Sequence, residues 1–415
     1  MLQPLAQAPT FVRPIRQGWR GALHSPPVVA WAVHLVLVLA VAAATVAVTP
    51  GRDSKRPRLD GIAHYLVAPL AVWDGGWYVR IARHGYARRQ AAAFWPLYPL
   101  LLRLGHWLTG LSYDAVGVVL SNAAFLAALV ALYALARADY GQAIATRTVW
   151  LTALWPLSFF FSAVYTESVF LLLTVGAIVL AHRGRWTWAA LAAVLAALTR
   201  TSGGLVLLPL GIMLLQQRGR DPRGWWRQGI QLAAAAAAPL VFAAHLERLW
   251  DDPLLMIHIE DRWARVRGTP WDTLLTAFDR TEHIYLTGRH ACSLSLDAGA
   301  VDACRAGLQI TIDAFSDDLS FVAVFGCLVL LPYALWRLRL RDSLYLVAGF
   351  VLPLFGPATY DPLLSAARYL IVLYPLYVAL ACLLHWRSLF LATLIGATVS
   401  LCGLLALFAQ GYFVA

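Results

Sequence analysis

Runs of mostly apolar residues recur along the chain at 28–49, 115–136, 147–165, 167–182, 186–199, 201–216, 229–249, 319–337, 343–359, 369–385 and 388–409. A helix of about 20 such residues crosses a bilayer, so the pattern predicts an all-α polytopic membrane protein with about eleven spans. The stretch from Phe94 to Leu111 is also apolar, but Pro96, Pro99, Arg103 and His106 interrupt it. It is expected to lie in the membrane interface. The run 28–49 is too long for a signal-peptide core and is expected to be a retained anchor. No 20–50-residue repeat is present, and the Ala233–Ala238 run is simply a good helix former.

Composition excludes the alternative of two or three soluble domains. Hydrophobic residues make up 60% of the 415 and charged residues 13%, about half the share of a soluble domain. Basic residues exceed acidic ones 33 to 22, for a net charge of +11. In a soluble protein that excess would point to nucleic acid; here it reports topology, and no nucleic-acid partner is expected. With Phe94–Leu111 kept out of the spans, fifteen arginines between Arg13 and Arg387 fall in the tail and short loops on the N-terminal side. Arg200 and Arg368 alone occupy the short loops opposite. The positive-inside rule then sets a cytoplasmic N-terminus in the cell membrane and an outer C-terminus.

The expected organisation is a cytoplasmic tail, 1–27, and one transmembrane domain, 28–415, with two long outer loops, 50–114 and 250–318. The second loop holds twelve of the 22 acidic residues and has the composition of a small folded acidic cap. Cys327, Cys382 and Cys402 lie in spans as packing residues. Cys292 and Cys304 share the acidic loop, where oxidising surroundings permit a disulfide; two free thiols are the alternative.

An ionisable residue at membrane depth is costly and is a functional candidate by default. Four stand at separate span ends yet on one face: Asp74, Glu167, Arg200 and Arg368. Asp74 opens a predicted helix on which Trp73, Trp77, Ile81 and His84 recur at helical spacing, with Arg80 and Arg83 following at intervals of three. Asp74 is either a helix N-cap or a catalytic carboxylate. Glu167 either caps its helix or positions a hydroxyl or cation. Arg200 and Arg368 either grip phosphate, as guanidinium forks do, or pair with Glu167 or Asp361. His64, His84 and His106 have no metal-ligand spacing. Neither a P-loop nor a dinucleotide glycine motif appears, and Asp251-Asp252 has the character of a solvated pair.

Trp73-Asp74-Gly75-Gly76-Trp77-Tyr78-Val79-Arg80-Ile81-Ala82-Arg83-His84-Gly85-Tyr86, followed by Ala93-Phe94-Trp95-Pro96-Leu97-Tyr98-Pro99, resembles bacterial members of the PIG-V family, the GPI mannosyltransferase II group of the GT-C glycosyltransferases. Tyr165-Thr166-Glu167-Ser168, Leu198-Thr199-Arg200-Thr201-Ser202-Gly203, and Ala367-Arg368-Tyr369 before Leu373-Tyr374-Pro375 extend the resemblance in family order. It implies a GT-C-type helix bundle that transfers mannose from a polyprenyl-phosphate carrier to a glycolipid, lipoglycan or protein on the outer face. Asp74 would be the base of an inverting transfer. Trp73, Trp77, Tyr78, Arg80, Arg83, His84, Glu167, Arg200, Arg368 and Tyr369 are the candidates for substrate binding. The arginines would stand in for a metal, so no metal or other cofactor is expected. Where many members carry an acidic residue after Gly-Tyr, this chain has Ala87-Arg88-Arg89-Gln90, which suits a more anionic acceptor. Two further readings stay open: the same scaffold with another lipid-linked sugar, or a non-enzymatic lipid or sugar transporter.

Overall fold

A computed structural model describes residues 24–49, 56–217, 222–286 and 319–414. Most of the expected N-terminal tail, the second half of the acidic loop and the Cys292/Cys304 candidate pair lie outside the described residues.

Each apolar run is helical. In chain order the helices are α1 Pro26–Val48, α2 Ile62–Leu66, α3 Asp74–His84, α4 Leu97–Thr109, α5 Tyr113–Tyr140, α6 Gln142–Leu154, α7 Glu167–His182, α8 Trp186–Ala197, α9 Leu207–Gln216, α10 Pro222–Trp250, α11 Leu255–His258, α12 Pro270–Leu286, α13 Leu319–Arg337, α14 Leu340–Val351, α15 Ala366–Leu370, α16 Tyr374–Leu383 and α17 Arg387–Ala409. Among the described residues no strand forms, and one isolated bridge joins Arg265 to Ala358. Among the described residues five helices are long and apolar enough to cross a bilayer: α1, α5, α10, α13 and α17. The other expected spans are shorter helices of 10–17 residues or broken ones.

The breaks have local causes and open the bundle at one end. Trp155, which precedes Pro156, is extended (φ −66°, ψ 151°), as a residue before proline prefers. The expected span 147–165 therefore stops at Leu154 and resumes as a short 3-10 turn at Ser158–Phe161. Thr201–Val206 and Leu352–Phe355 are also 3-10 turns. The expected span 369–385 divides into α15 and α16, with Pro375 in the first turn of α16.

The core is built on α5 against α7, α7 against α8 and α8 against α10, with α1 wedged among α5, α6 and α17. Polar side chains cross-brace it. His34 bonds Ala153 O (2.7 Å) and Ser162 Oγ (2.9 Å), and Ser162 donates to Asn122 Oδ1 (2.8 Å). At the far end of α5, roughly 40 Å from its start, Asp139 pairs with Arg339 and Arg341, and Tyr140 donates to Asp342. Paired charges of this kind tie α5 to the start of α14.

The Phe94–Leu111 stretch is an amphipathic helix, α4, ending in an αL glycine, Gly110. It packs on α3 and leaves Leu100, Leu104, Trp107 and Leu108 exposed.

Candidate active site

Asp74 is the first residue of α3. The residue before it, Trp73, has φ +56°, an outlier for a bulky residue and the kind of strain that gathers at functional sites. The Tyr165 hydroxyl spans this kink, accepting from Asp74 N (3.2 Å) and donating to Val72 O (3.3 Å). The N-cap position is held by Trp73, and Asp74 is the first helical residue rather than the cap. Its carboxylate instead turns to Arg368, with Oδ2 2.7 Å from Nη1.

A chain of charge continues inward. Arg368 Nε lies 3.6 Å from Glu167 Oε1, and the same oxygen is 2.7 Å from Arg200 Nη1. Glu167, Arg200 and Arg368 come from α7, from the residue preceding the Thr201–Val206 turn and from α15. Glu167 opens its helix, Arg200 stands at a break, and Arg368 is the third residue of the five in α15. Glu167 is 1% exposed, Arg200 7%, Arg368 11% and Asp74 24%. Burial therefore eases toward Asp74, the most exposed of the four. Thr166 rather than Glu167 holds the N-cap position of α7, and Arg200, at the N-cap of the Thr201–Val206 turn, makes no side-chain cap bond.

Aromatic faces seat the guanidinium groups, which suits desolvated cations. Arg368 lies over Tyr165 and Phe160, and Arg200 over Tyr369 and Phe170. Glu167 Oε2 is buried and accepts no hydrogen bond among the described residues.

These residues line a cavity of about 610 Å³, within the usual range for ligand sites. Trp73, Asp74, Tyr78, Glu167, Arg200, Arg368 and Tyr369 all contribute to its wall. The structure thus unites seven of the sequence candidates. It does not bring Trp77, Arg80, Arg83 and His84 to that cavity; they line a separate pocket. The reason is helical geometry. At about 100° per residue, Tyr78 falls within 40° of Asp74, whereas Arg80 and Arg83 are turned away by 120° or more.

The cavity also holds residues that the motifs did not single out. Glu260 and Arg265, from the acidic loop, pair at 3.3 Å. Arg265 is anchored by Gly356 O (2.7 Å) and Leu364 O (3.2 Å). Burial pushes the Glu260 carboxyl up and Asp74 adds to the push, while Arg265 opposes both. Asp361 and Ser365 complete this side. The available sequence signal was the acidity of the loop, which marked the segment but not its residues.

The long apolar helices mark an integral membrane protein, and the helix bundle has the GT-C-type fold with the candidate site among its broken helices. The fold is shared with the apo crystal structure of the Archaeoglobus fulgidus oligosaccharyltransferase, at a TM-score of 0.50 and 13% identity, covering 95% of this chain and 56% of that one. Residues 32–220 match the family model described as mannosyltransferase (PIG-V), and over that stretch the chain is similar to the family. A rat GPI alpha-1,6-mannosyltransferase 2 is 30% identical over 41% of this chain. A GPI mannosyltransferase 2 of Drosophila pseudoobscura pseudoobscura is 31% identical over 29% of it. The matches span 36% and 29% of those relatives' lengths. The family match contains Asp74, Glu167 and Arg200, while Arg368 reaches the site from outside it.

Proposed function

We propose that the chain is an inverting mannosyltransferase using a polyprenyl-phosphate-linked donor and a membrane glycolipid, lipoglycan or protein acceptor. The observation that carries this is the Asp74–Arg368–Glu167–Arg200 relay, which lines a cavity of about 610 Å³ with Asp74 as its most exposed member. A transfer of this kind needs a base for the acceptor hydroxyl and a stabilised leaving phosphate. Asp74 takes the hydroxyl proton as the new C1–O bond forms. The bond from C1 to the phosphate oxygen breaks, and the departing phosphate keeps the electron pair beside Arg368 and Arg200.

In the resting site Arg368 occupies Asp74 and so restrains it as a base. An incoming phosphate competes for the same guanidinium fork, which frees Asp74 Oδ2 for the acceptor. Glu167 holds both arginines in place. Two guanidinium groups supply the positive charge, so the reaction proceeds without a divalent metal; activity lost in chelator and restored by added Mg²⁺ or Mn²⁺ would refute this. The arginine distribution supports an extracytoplasmic site in the cell membrane and a cytoplasmic N-terminus.

The test is sugar transfer by the purified chain in nanodiscs, from labelled polyprenyl-phosphate-mannose to a membrane-lipid extract. Wild type is run beside Asp74→Asn. Labelled product from wild type alone supports the proposal. Equal product from both removes Asp74 as the base.

A further inference from the structure

A second cavity, of about 550 Å³, lies on the other side of α3 from the relay and is lined by Trp77, Arg80, Arg83, His84, Arg88 and backbone around Gly85. No carboxylate lines it. Arg80 lies over the Trp77 ring at 5.3 Å, and Arg83 over Tyr113 at 5.4 Å, with Asp114 at 3.6 Å from Arg83. Among the described residues Arg80 and Arg88 form no ion pair. Three guanidinium groups thus converge on a concave surface against a single weak counter-charge. The guanidinium of Arg103, on α4, is tied to Ala82 O (2.8 Å) and Arg83 O (3.3 Å), which fixes α4 beside this pocket.

The exposed face of α4 supplies the second half of the pattern. Leu100, Leu104, Trp107 and Leu108 recur at helical spacing and are 57%, 49%, 78% and 65% exposed. Such a stripe in an integral membrane protein lies against acyl chains, and an exposed tryptophan suits the headgroup level. A basic pocket bordering an apolar stripe matches one class of molecule in both charge and shape. We propose that this pocket binds the phosphate headgroup of an anionic membrane phospholipid, whose acyl chains run along α4. The site is separate from the relay and holds a lipid whether or not sugar transfer occurs.

The test is phosphatidylglycerol retention by the purified full chain, measured by native mass spectrometry, with phosphatidylcholine as the uncharged comparison and inorganic phosphate as a soluble competitor. Wild type is expected to retain phosphatidylglycerol selectively, less so at high salt. An arginine near an anionic lipid surface contributes roughly a fivefold preference. Arg80→Gln/Arg88→Gln should therefore bind about 30-fold more weakly, while Arg80→Lys/Arg88→Lys retains most of the binding and shows that charge rather than fold is responsible. Arg368→Gln, in the relay, should retain the lipid as wild type does. Unchanged retention by Arg80→Gln/Arg88→Gln overturns the proposal. So does equal retention of phosphatidylcholine, or displacement by inorganic phosphate at concentrations comparable with the lipid.

Discussion

Glu167→Gln tests the electrostatic account of the relay directly. The four members carry two negative and two positive charges, and Glu167 is the one carboxylate that reaches both arginines. Glutamine keeps the volume and one oxygen for Arg200, but it removes the charge. Arg200, 7% exposed, then sits beside a neutral partner while Arg368 retains Asp74. Breaking a buried pair from one side costs about 3–5 kcal/mol, because the remaining charge stays desolvated. An exposed pair would cost about 1 kcal/mol or less. The oxygen that glutamine keeps favours the lower end, so a loss of about 3 kcal/mol is expected, and a similar one for Arg200→Gln. The double variant removes both charges and should be far less damaged than the sum, with a coupling of about 2–3 kcal/mol. The assay is thermal unfolding of all four proteins in the same nanodisc lipid. A Glu167→Gln loss under about 1 kcal/mol, or losses that simply add in the double variant, would refute a buried, mutually compensating relay.

Three further outcomes are expected. A Cβ on Gly203 would lie 2.0 Å from Ala196 O and 2.7 Å from Ala197 Cα, whereas one on Gly204 meets nothing within 4 Å. Gly203→Ala should displace the turn that carries Arg200 and lower both the thermal midpoint and transfer activity; Gly204→Ala should leave both near wild type. Tyr165→Phe deletes the hydroxyl that spans the Trp73 kink and leaves the Val72 carbonyl short of a donor. It should lower kcat on the order of tenfold, equivalent to about 1.4 kcal/mol, with little change in donor KM, and matched falls in both would count against a positioning role. Glu260 has a raised carboxyl pKa, so its stabilising contribution is full below the ordinary glutamate value of about 4.3 and is lost as pH rises through the folded value. Glu260→Gln should accordingly raise the thermal midpoint relative to wild type near pH 7 but not near pH 4, which a pair of melting curves against pH decides.

The helices were legible because apolar transfer dominates a membrane chain: every expected span falls on a helix or on a broken pair of them. Four functional candidates were legible for a related reason. An ionised side chain at membrane depth must find a partner, so Asp74, Glu167, Arg200 and Arg368, far apart in sequence, were constrained to meet. Arg80 and Arg83 were less readable. Proximity to Asp74 along the chain suggested a shared face, but the 100° step of the helix carries them to the opposite side. Glu260 and Arg265 were not readable at all, since the loop that carries them has no period to anchor a prediction. Their placement depends on main-chain partners, Gly356 O and Leu364 O, supplied by a broken segment a hundred residues on.

That division bears on what the site recognises. The relay is carried by elements of the helix bundle and held by the mutual pairing of its charges. Glu260 and Arg265 belong to the loop segment after α11, whereas Ser365 precedes α15 and lies three residues from Arg368. With the paired charges on the helix bundle and Glu260 on the loop, the two parts of the cavity can change independently. Substitutions in the relay should change rate for every acceptor, whereas substitution of Glu260 should change which acceptor is used. A Glu260→Gln variant that slows all acceptors equally, measured on two lipid acceptors of different headgroup charge, would remove that separation.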